Sequence, residues 1–447
     1  MSTARASAGH VGTGRASAGR ASAGRASAGH ASTGRFDFLI VGGGVVGAAM
    51  AGLLLARKLV APGRLAVIDE GASLGAPVPI NPGAAAESDW DLRVFALSRA
   101  SQQVLNICGA WAALPAQKRC AYERMCVWDA KGTLTFDCAA IGEPDLGFIV
   151  EGRALQAECR RAAAAAGAVF VEATLQEVVA TETQVRVRLH DGRELQSQLL
   201  IGADGADSTT RTLLGIETAG HAYHQDALVA HVRTEKPHRN TAWQRFLPSG
   251  PLAFLPLPDG RTSIVWSNTR AESGRLRALD AEAFGEAVTS ASESALGACE
   301  LSTAVASFPL KLQYALDYVR PRAVLVGDAA HTVHPLAGQG LNLGLMDCAC
   351  LADVLGGGVA GGRSTGYAGE HRLLRRYERW RRSENLLAAT AMDGLERLFA
   401  NTHPLMGQLR SAGLNAVGKM PFLKRQLIER AMGLSGDVPE FLFDRAR

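Results

Sequence analysis

The chain has 447 residues, 47% hydrophobic and 20% charged, which suits two packed domains with ordinary soluble cores. The formal net charge is +4, but Arg5, Arg15, Arg20, Arg25 and Arg35 lie in an acid-free opening stretch, and the remainder carries −1. That near-neutral body speaks against nucleic-acid binding, and eight scattered cysteines with no CxxC pair speak against a disulfide framework.

No apolar run reaches the roughly 18 residues of a membrane-spanning helix, and no secretory h-region opens the chain. The expected setting is the reducing cytoplasm. Residues 1–34 repeat ASAGR with a period of five, as in Ala16-Ser17-Ala18-Gly19-Arg20. Such small residues bury too little surface to offset ordering entropy, so a disordered low-complexity tail is expected. An organelle transit peptide fits less well, because regular glycines oppose an amphipathic helix.

Phe36 to Val41 then reads as a buried strand, Gly42 to Gly47 as a glycine turn, Val45 to Leu59 as a helix and Leu65 to Asp69 as a second strand. Leu155 to Ala166 reads as a helix. Gln184 to Leu189 and Leu195 to Ile201 read as strands, and Leu228 to Ser267 as a strand-rich stretch. Ala323 to Val326 is another short strand, followed by a loop and a helix from about Leu341. Gly356 to Gly366 reads as a break, and Arg372 to Leu398 and Pro404 to Leu434 as helices.

Three motifs carry chemistry. Gly42-Gly43-Gly44-Val45-Val46-Gly47 fits GxGxxG, with Gly42 making the turn, Gly44 admitting a pyrophosphate and Gly47 packing helix on strand. The helix N-terminus favours phosphate, and Asp69, or its neighbour Glu70, is placed to accept from adenosine ribose hydroxyls. The second motif is Gly202-Ala203-Asp204-Gly205-Ala206-Asp207-Ser208, ending in Arg211; alone it is a strand-end turn. The third runs from Gly327-Asp328 through His331, His334 and Pro335 to Gly338-Gln339-Gly340-Leu341-Asn342. There Asp328 suits a polyol hydroxyl, and two glycines let backbone N–H groups face a ligand. A helix starting there would favour negative charge on a bound group.

Together and in this order, the motifs resemble the flavoprotein hydroxylases of the p-hydroxybenzoate hydroxylase fold. The finer resemblance is to the ubiquinone-biosynthesis hydroxylases. It rests on Asp91-Leu92-Arg93-Val94-Phe95-Ala96-Leu97-Ser98, Trp243-Gln244-Arg245-Phe246-Leu247-Pro248, Phe254-Leu255-Pro256-Leu257 and the late Tyr377-Glu378-Arg379 with Arg382 and Asn385. It spans residue 36 to the C-terminus.

The resemblance implies an α/β fold. A Rossmann-like FAD-binding domain of p-hydroxybenzoate hydroxylase or glutathione-reductase type would occupy 36–215 and 309–385. A mainly β substrate domain would occupy 216–308, and C-terminal helices 386–447. It implies that Gly42, Gly44, Gly47 and Asp69 hold the ADP half of FAD, and that Asp328 meets the ribityl or pyrophosphate region. Gly338, Gln339, Gly340, Leu341 and Asn342 would lie against the isoalloxazine, with Pro335 nearby. Asp204 and Gly205 would serve FAD and a passing NAD(P)H, and Arg93 and Arg153 would lie near the flavin. Gly152 stands where the family usually has Asn.

The implied reaction hydroxylates the ring of a polyprenylated phenol or quinol with NAD(P)H and O2. Other ubiquinone-biosynthesis proteins are implied partners, and peripheral contact with the inner face of the membrane is compatible. A dehydrogenase or reductase of the same fold, and a non-catalytic flavoprotein scaffold, remain open; no WxWxIP segment suggests a halogenase. His331 and His334 have a metal-compatible spacing but no further ligand set, so no metal is expected. No catalytic base is identified. Lys419 to Arg430 reads equally as a basic amphipathic membrane-surface helix or as one packed on the body.

Overall fold

The computed structural model describes residues 33–71, 90–129, 132–333, 338–360, 365–400 and 420–443. Six strands form the sheet that opens the fold. Their order is Val319–Arg320, Ala323–Leu325, Leu199–Gly202, Phe38–Val41, Leu65–Asp69 and Val169–Glu172. Neighbours run parallel except for the first pair.

Its inner strands are continuous apolar runs because both faces are covered. Phe38 and Ile40 point into a helical layer together with Leu65, Val67, Leu199 and Ile201. Leu39, Val41, Ala66 and Ile68 point the other way. They meet a small antiparallel sheet of Leu175–Ala180, Val185–Leu189 and Glu194–Ser197. The helical layer contains Val45–Ala56, Gly152–Ala165 and Gln339–Ala360. Among the described residues, Gln339–Gly357 is the one segment long and apolar enough to cross a membrane, and 67% of it is buried.

A second, nine-stranded sheet begins at His331–Thr332 and continues through Ala306–Ala315, Thr218–Thr234, Thr262–Thr269, Gly250–Pro256 and Thr241–Leu247. Arg124–Trp128 and Thr133–Asp137 extend it, and Cys299–Leu301 pairs beside Thr218–Thr234. One face packs through Leu228, Phe254 and Trp266 against the helices Arg270–Arg277 and Ala281–Ala291, which contribute Leu276 and Phe284. The other face turns toward the first half of the molecule. Leu255 shares an apolar cluster with Val94 and Ala96, and Phe246 packs with Met392 and Leu398.

The structure differs from the sequence reading at several points. The stretch expected to be one strand, Leu195 to Ile201, is two: Glu194–Ser197 in the small sheet and Leu199–Gly202 in the parallel one. The chain changes sheets at Gln198, whose carbonyl accepts from Arg322 Nη1 at 3.1 Å. Thr33–Arg35 already forms a strand, parallel to Glu194–Gln196, inside the segment expected to be a tail. Backbone pairing with Glu194–Gln196 and a bond from Arg64 Nη1 to Arg35 O hold this edge; residues 1–32 lie outside the described residues. The glycines from Gly356 do not break the late helix, which runs to Ala360. Only Pro421–Ala431 of the expected 404–434 helix is described as helix, since 401–419 lie outside the described residues. The second sheet also draws two strands from the 36–215 segment, because Arg124–Trp128 pairs in parallel with Thr241–Leu247.

Candidate active site

The early glycine turn is shaped by contacts that leave no room for side chains. Gly42 has φ +100°, and a Cβ there would stand 2.4 Å from the carbonyl oxygen of Ala203. A Cβ on Gly47 would stand 1.9 Å from the Gly42 carbonyl oxygen. The middle motif therefore lies directly on the early one. The late motif joins from the other side: Val46 Cγ1 is 3.1 Å from where a Gly327 Cβ would sit, and Val46 Cγ2 is 2.9 Å from a Gly344 Cβ. Arg211 ties the second motif to the third, donating from Nη1 to Ala329 O and from Nη2 to Ala206 O, both at 2.9 Å. Three segments separated by over a hundred residues thus share one corner of the parallel sheet.

This corner has the features of a dinucleotide site. The N-cap residue Gly44 has no side chain to cap the Val45–Ala56 helix, and among the described residues nothing accepts from its first N–H groups, which leaves them for an anion. A Cβ at Gly44 would meet nothing within 4 Å, so the surface is open where a pyrophosphate would approach. Asp69 ends its strand beside the turn. Its Oδ2 accepts from Gly43 N at 2.5 Å and its Oδ1 from Gly71 N at 2.9 Å. Glu70 is exposed.

Two residues overlooked in the sequence complete this wall. Gln156 Nε2 donates to Gly43 O at 3.3 Å, and Arg160 lies 3.8 Å from Asp69 Oδ1 while donating to Gly71 O at 2.6 Å. Both come from the helix Gly152–Ala165, whose helical spacing of four puts them on one face.

Asp328 sits in the single 3-10 turn that follows the strand Ala323–Leu325. Among the described residues, its carboxylate accepts no hydrogen bond. Burial raises its pKa, against the lowering influence of His331 and Arg93. Asp328 is half-buried, so its carboxylate is open to a donor from outside the chain, and a polyol hydroxyl matches that need.

Other predicted residues have their polar atoms committed within the protein. Asp204 accepts from Ser208 Oγ at 2.5 Å and from Thr210 N at 2.8 Å, which shapes the turn around Gly205. Asn342 turns inward: its Oδ1 accepts from Ser98 N and Ser101 Oγ, and its Nδ2 donates to Ala96 O and Gly338 O. That uses all four bonds of a carboxamide and pins the Val94–Leu97 strand to the start of the late helix. Gly338 packs there, 3.2 Å from Ala96 Cβ at its virtual Cβ. Gln339, Gly340 and Leu341 form the first turn of that helix. Arg93 is exposed, its guanidinium 5.1 Å from the Phe95 ring. Arg153 Nε is 3.3 Å from Asp91 Oδ2. Gly152 N donates to Arg93 O at 2.8 Å, and a Cβ at Gly152 would crowd that same oxygen. Pro335 and His334 lie outside the described residues.

A family model described as FAD binding domain matches residues 154–388. The chain is 35% identical over 402 residues to the 3-demethoxyubiquinol 3-hydroxylase of Escherichia coli K12, covering 89% of this chain and 98% of that one. It is 33% identical to the human mitochondrial ubiquinone biosynthesis monooxygenase COQ6, covering 88% and 92%. It belongs to the FAD-dependent hydroxylases of ubiquinone biosynthesis.

Solved structures of p-nitrophenol 4-monooxygenase PnpA from Pseudomonas putida (TM-score 0.70, 17% identity, 91% of this chain and 100% of that one) and of PqsL from Pseudomonas aeruginosa (0.66, 23%, 86% and 100%) share the fold. The architecture is therefore the α/β p-hydroxybenzoate hydroxylase type, and the cofactor of this family of hydroxylases is FAD.

Behind the site, this hydroxylase carries a charged network that the sequence reading missed. Asp347, fully buried in the late helix, accepts from Gly327 N at 2.9 Å, His331 Nε2 at 2.5 Å, Arg381 Nε at 2.7 Å and Asn385 Nδ2 at 3.1 Å. Four donors hold one carboxylate, and two of them belong to the loop carrying Asp328. The signal in the sequence was a lone acid within the apolar run Leu345-Met346-Asp347-Cys348-Ala349-Cys350, since a buried charge demands partners.

Burial alone would raise the Asp347 pKa, but His331 and Arg381 outweigh it and hold it at about 2. A carboxylate depressed in the folded state contributes stability above its unfolded pKa of about 3.9, lost as pH falls toward the folded value. Asp347→Asn should therefore cost roughly 3–5 kcal/mol near pH 7, because Arg381 is left buried without a counter-charge. Urea unfolding across pH should show the difference from wild type shrinking only between about pH 4 and 2.

Proposed function

We propose that this chain hydroxylates the aromatic ring of a polyprenylated phenol or benzoquinol, using bound FAD, NAD(P)H and O2. The observation that carries the reading is the meeting of the early glycine turn, the Asp204 turn and the Asp328 loop at one open corner. Relatives named as ubiquinone hydroxylases, similar over about nine-tenths of the chain, support the substrate class.

The proposed roles combine the geometry of the corner with the family resemblance. The free N–H groups after Gly44 take the pyrophosphate, and Gly42 and Gly47 hold the turn that presents them. Asp69, braced by Gly43 and Arg160, takes the ribose, with exposed Glu70 at the rim. Asp328 takes a ribityl hydroxyl. Gly338, Gln339, Gly340 and Leu341 present a helix start to the isoalloxazine, and Asn342 fixes their position from behind. Asp204 and Gly205 shape the wall that FAD and the passing nicotinamide share. Arg93 and Arg153 supply positive charge on the flavin side, and Pro335, outside the described residues, is proposed to lie near the ring.

Bound FAD supplies hydride acceptance and O2 activation. The protein's part is to hold the ring substrate against it, exclude water and stabilise developing negative charge with the late helix dipole. The sheet-based half formed largely by 216–308 covers the ring, and residues 36–215 and 309–385 hold the nucleotide. A cytoplasmic chain touching the inner face of the membrane fits a lipid substrate. Supporting this, exposed Phe422 and Leu427 share the helix Pro421–Ala431 with Arg425 and Arg430.

Purified holoprotein should consume O2 and NAD(P)H only when a polyprenylated phenol is present. Deletion of the gene should accumulate a ring precursor one hydroxyl short, detected by mass spectrometry. Turnover with artificial electron acceptors but no phenol-dependent O2 uptake would replace this reading with that of a reductase.

Two variants test the cofactor cradle. Gly44→Ala should leave the melting temperature of the FAD-free protein unchanged, because its Cβ meets no protein atom. It should weaken FAD binding by about tenfold or more, read by fluorescence titration. Asp328→Asn should act in opposite directions on stability and binding. The raised Asp328 pKa means that the ionised form opposes folding of the FAD-free protein once pH exceeds that pKa. The variant should therefore melt higher than wild type at pH 7. It should bind FAD about 10–100-fold more weakly, as loss of a charge-assisted hydrogen bond of about 1.5–3 kcal/mol requires.

A further inference from the structure

On the side of the nine-stranded sheet away from its two helices, one row of side chains crosses five strands. Register places Val127, Gln244, Ala253, Val265 and Val229 in that row. Gln244 is the single polar member. Its direction is set by alternation along Thr241–Leu247. Trp243 and Leu247 pack with the helix-covered core, and Arg245 Nη1 donates to Ala291 O at the end of one of those helices. Ala242, Gln244 and Phe246 face the other way, and Phe246 meets Met392 and Leu398.

Gln244 is only 6% exposed, and among the described residues its carboxamide makes no hydrogen bond. The Gln244 polar atoms are not among those fully closed off from solvent, so the carboxamide is open to a partner from this face, which it shares with Ser263 and His231. The wall points at the site. Leu255, two residues along from Ala253 on the same face, shares an apolar cluster with Ala96. Ala96 Cβ in turn lies 3.2 Å from the virtual Cβ of Gly338, where the late helix begins.

We infer that Gln244 is a specificity-determining residue that hydrogen-bonds a ring oxygen of the aromatic substrate, while the valines and Ala253 around it hold the ring by apolar contact. This rests on the proposed ring-hydroxylase reading. The carboxamide both donates and accepts, so it pairs equally with a phenol hydroxyl and a quinol oxygen. A site built to pair such an oxygen discriminates strongly against an analogue lacking it.

The test uses FAD-loaded protein and two probes, 2-farnesylphenol and farnesylbenzene, with dissociation constants read from the perturbation of flavin absorbance. Wild type should prefer the phenol by about tenfold or more. Gln244→Met keeps the side-chain length and removes the polar atoms. It should keep full FAD content and a melting temperature no lower than wild type, since no internal hydrogen bond is lost. Its affinity for farnesylbenzene should match wild type, and its preference for the phenol should fall within about twofold.

Phenol preference retained in Gln244→Met, or a melting temperature lowered in both Gln244→Met and Gln244→Leu, would overturn the assignment and make the carboxamide structural. The two failures separate cleanly. Wild type that takes up O2 with 2-farnesylphenol while Gln244→Met shows unaltered selectivity removes only the role of Gln244. Wild type that shows no phenol-dependent O2 uptake removes the function on which it rests.

Discussion

Everything in this fold depends on three backbone segments approaching closer than side chains allow. The contact of Gly47 with the Gly42 carbonyl and of Gly42 with the Ala203 carbonyl leaves no space for a methyl group. Close approach has a chemical purpose. A dinucleotide phosphate must be bound by bare N–H groups at a helix start, and only a backbone stripped of Cβ atoms exposes them. The parallel strands Phe38–Val41, Leu199–Gly202 and Ala323–Leu325 are adjacent in the sheet for the same reason. Each delivers one of the three turns to the same edge, at the carboxyl ends of the strands where open α/β sheets place ligands.

A loop that binds a ligand with its backbone must be held by something else. Here the support is polar and lies behind the site. Asp347 gathers Gly327 N, His331, Arg381 and Asn385 around one carboxylate, so the turn bearing Asp328 is anchored to two later helical segments at once. Asn342 does the same for the other wall, joining Ser98, Ser101 and Ala96 to the late helix. Tyr377 adds a third tie, its hydroxyl donating to Leu325 O at 2.9 Å. These groups come from distant parts of the chain, so rigidity at the corner is a property of the tertiary fold and not of any single motif.

Much of this was legible in the sequence, and the limits have physical causes. The opening βαβ unit and the turn geometry were readable because continuous apolar strands and glycine spacing are local signals. The split of residues 195–201 between two sheets was hidden, since the local pattern of a buried strand does not say which sheet it joins. The pairing of Arg124–Trp128 with Thr241–Leu247 is a contact between residues over a hundred apart, beyond any local pattern. Asn342 was expected to lie against the isoalloxazine, and only the structure shows its carboxamide held by four internal partners. Asp347 passed unnoticed inside an apolar helix because periodicity treats its neighbours as core.

The polar groups of the corner divide by whether the protein itself satisfies them, and that division separates scaffold from site. Asp204, Asn342 and Asp347 spend their oxygens on donors from the chain, so each shapes the cavity without facing it. Asp328, which is half-buried, and Gln244, which is buried, have no side-chain hydrogen-bond partner among the described residues. Leaving a buried polar group unpaired destabilises a folded chain, typically by about 1–3 kcal/mol. A sequence keeps such a group where a ligand completes it. The Asp328 carboxylate on the nucleotide side and the Gln244 carboxamide on the facing sheet are the two groups that the proposed cofactor and ring would complete.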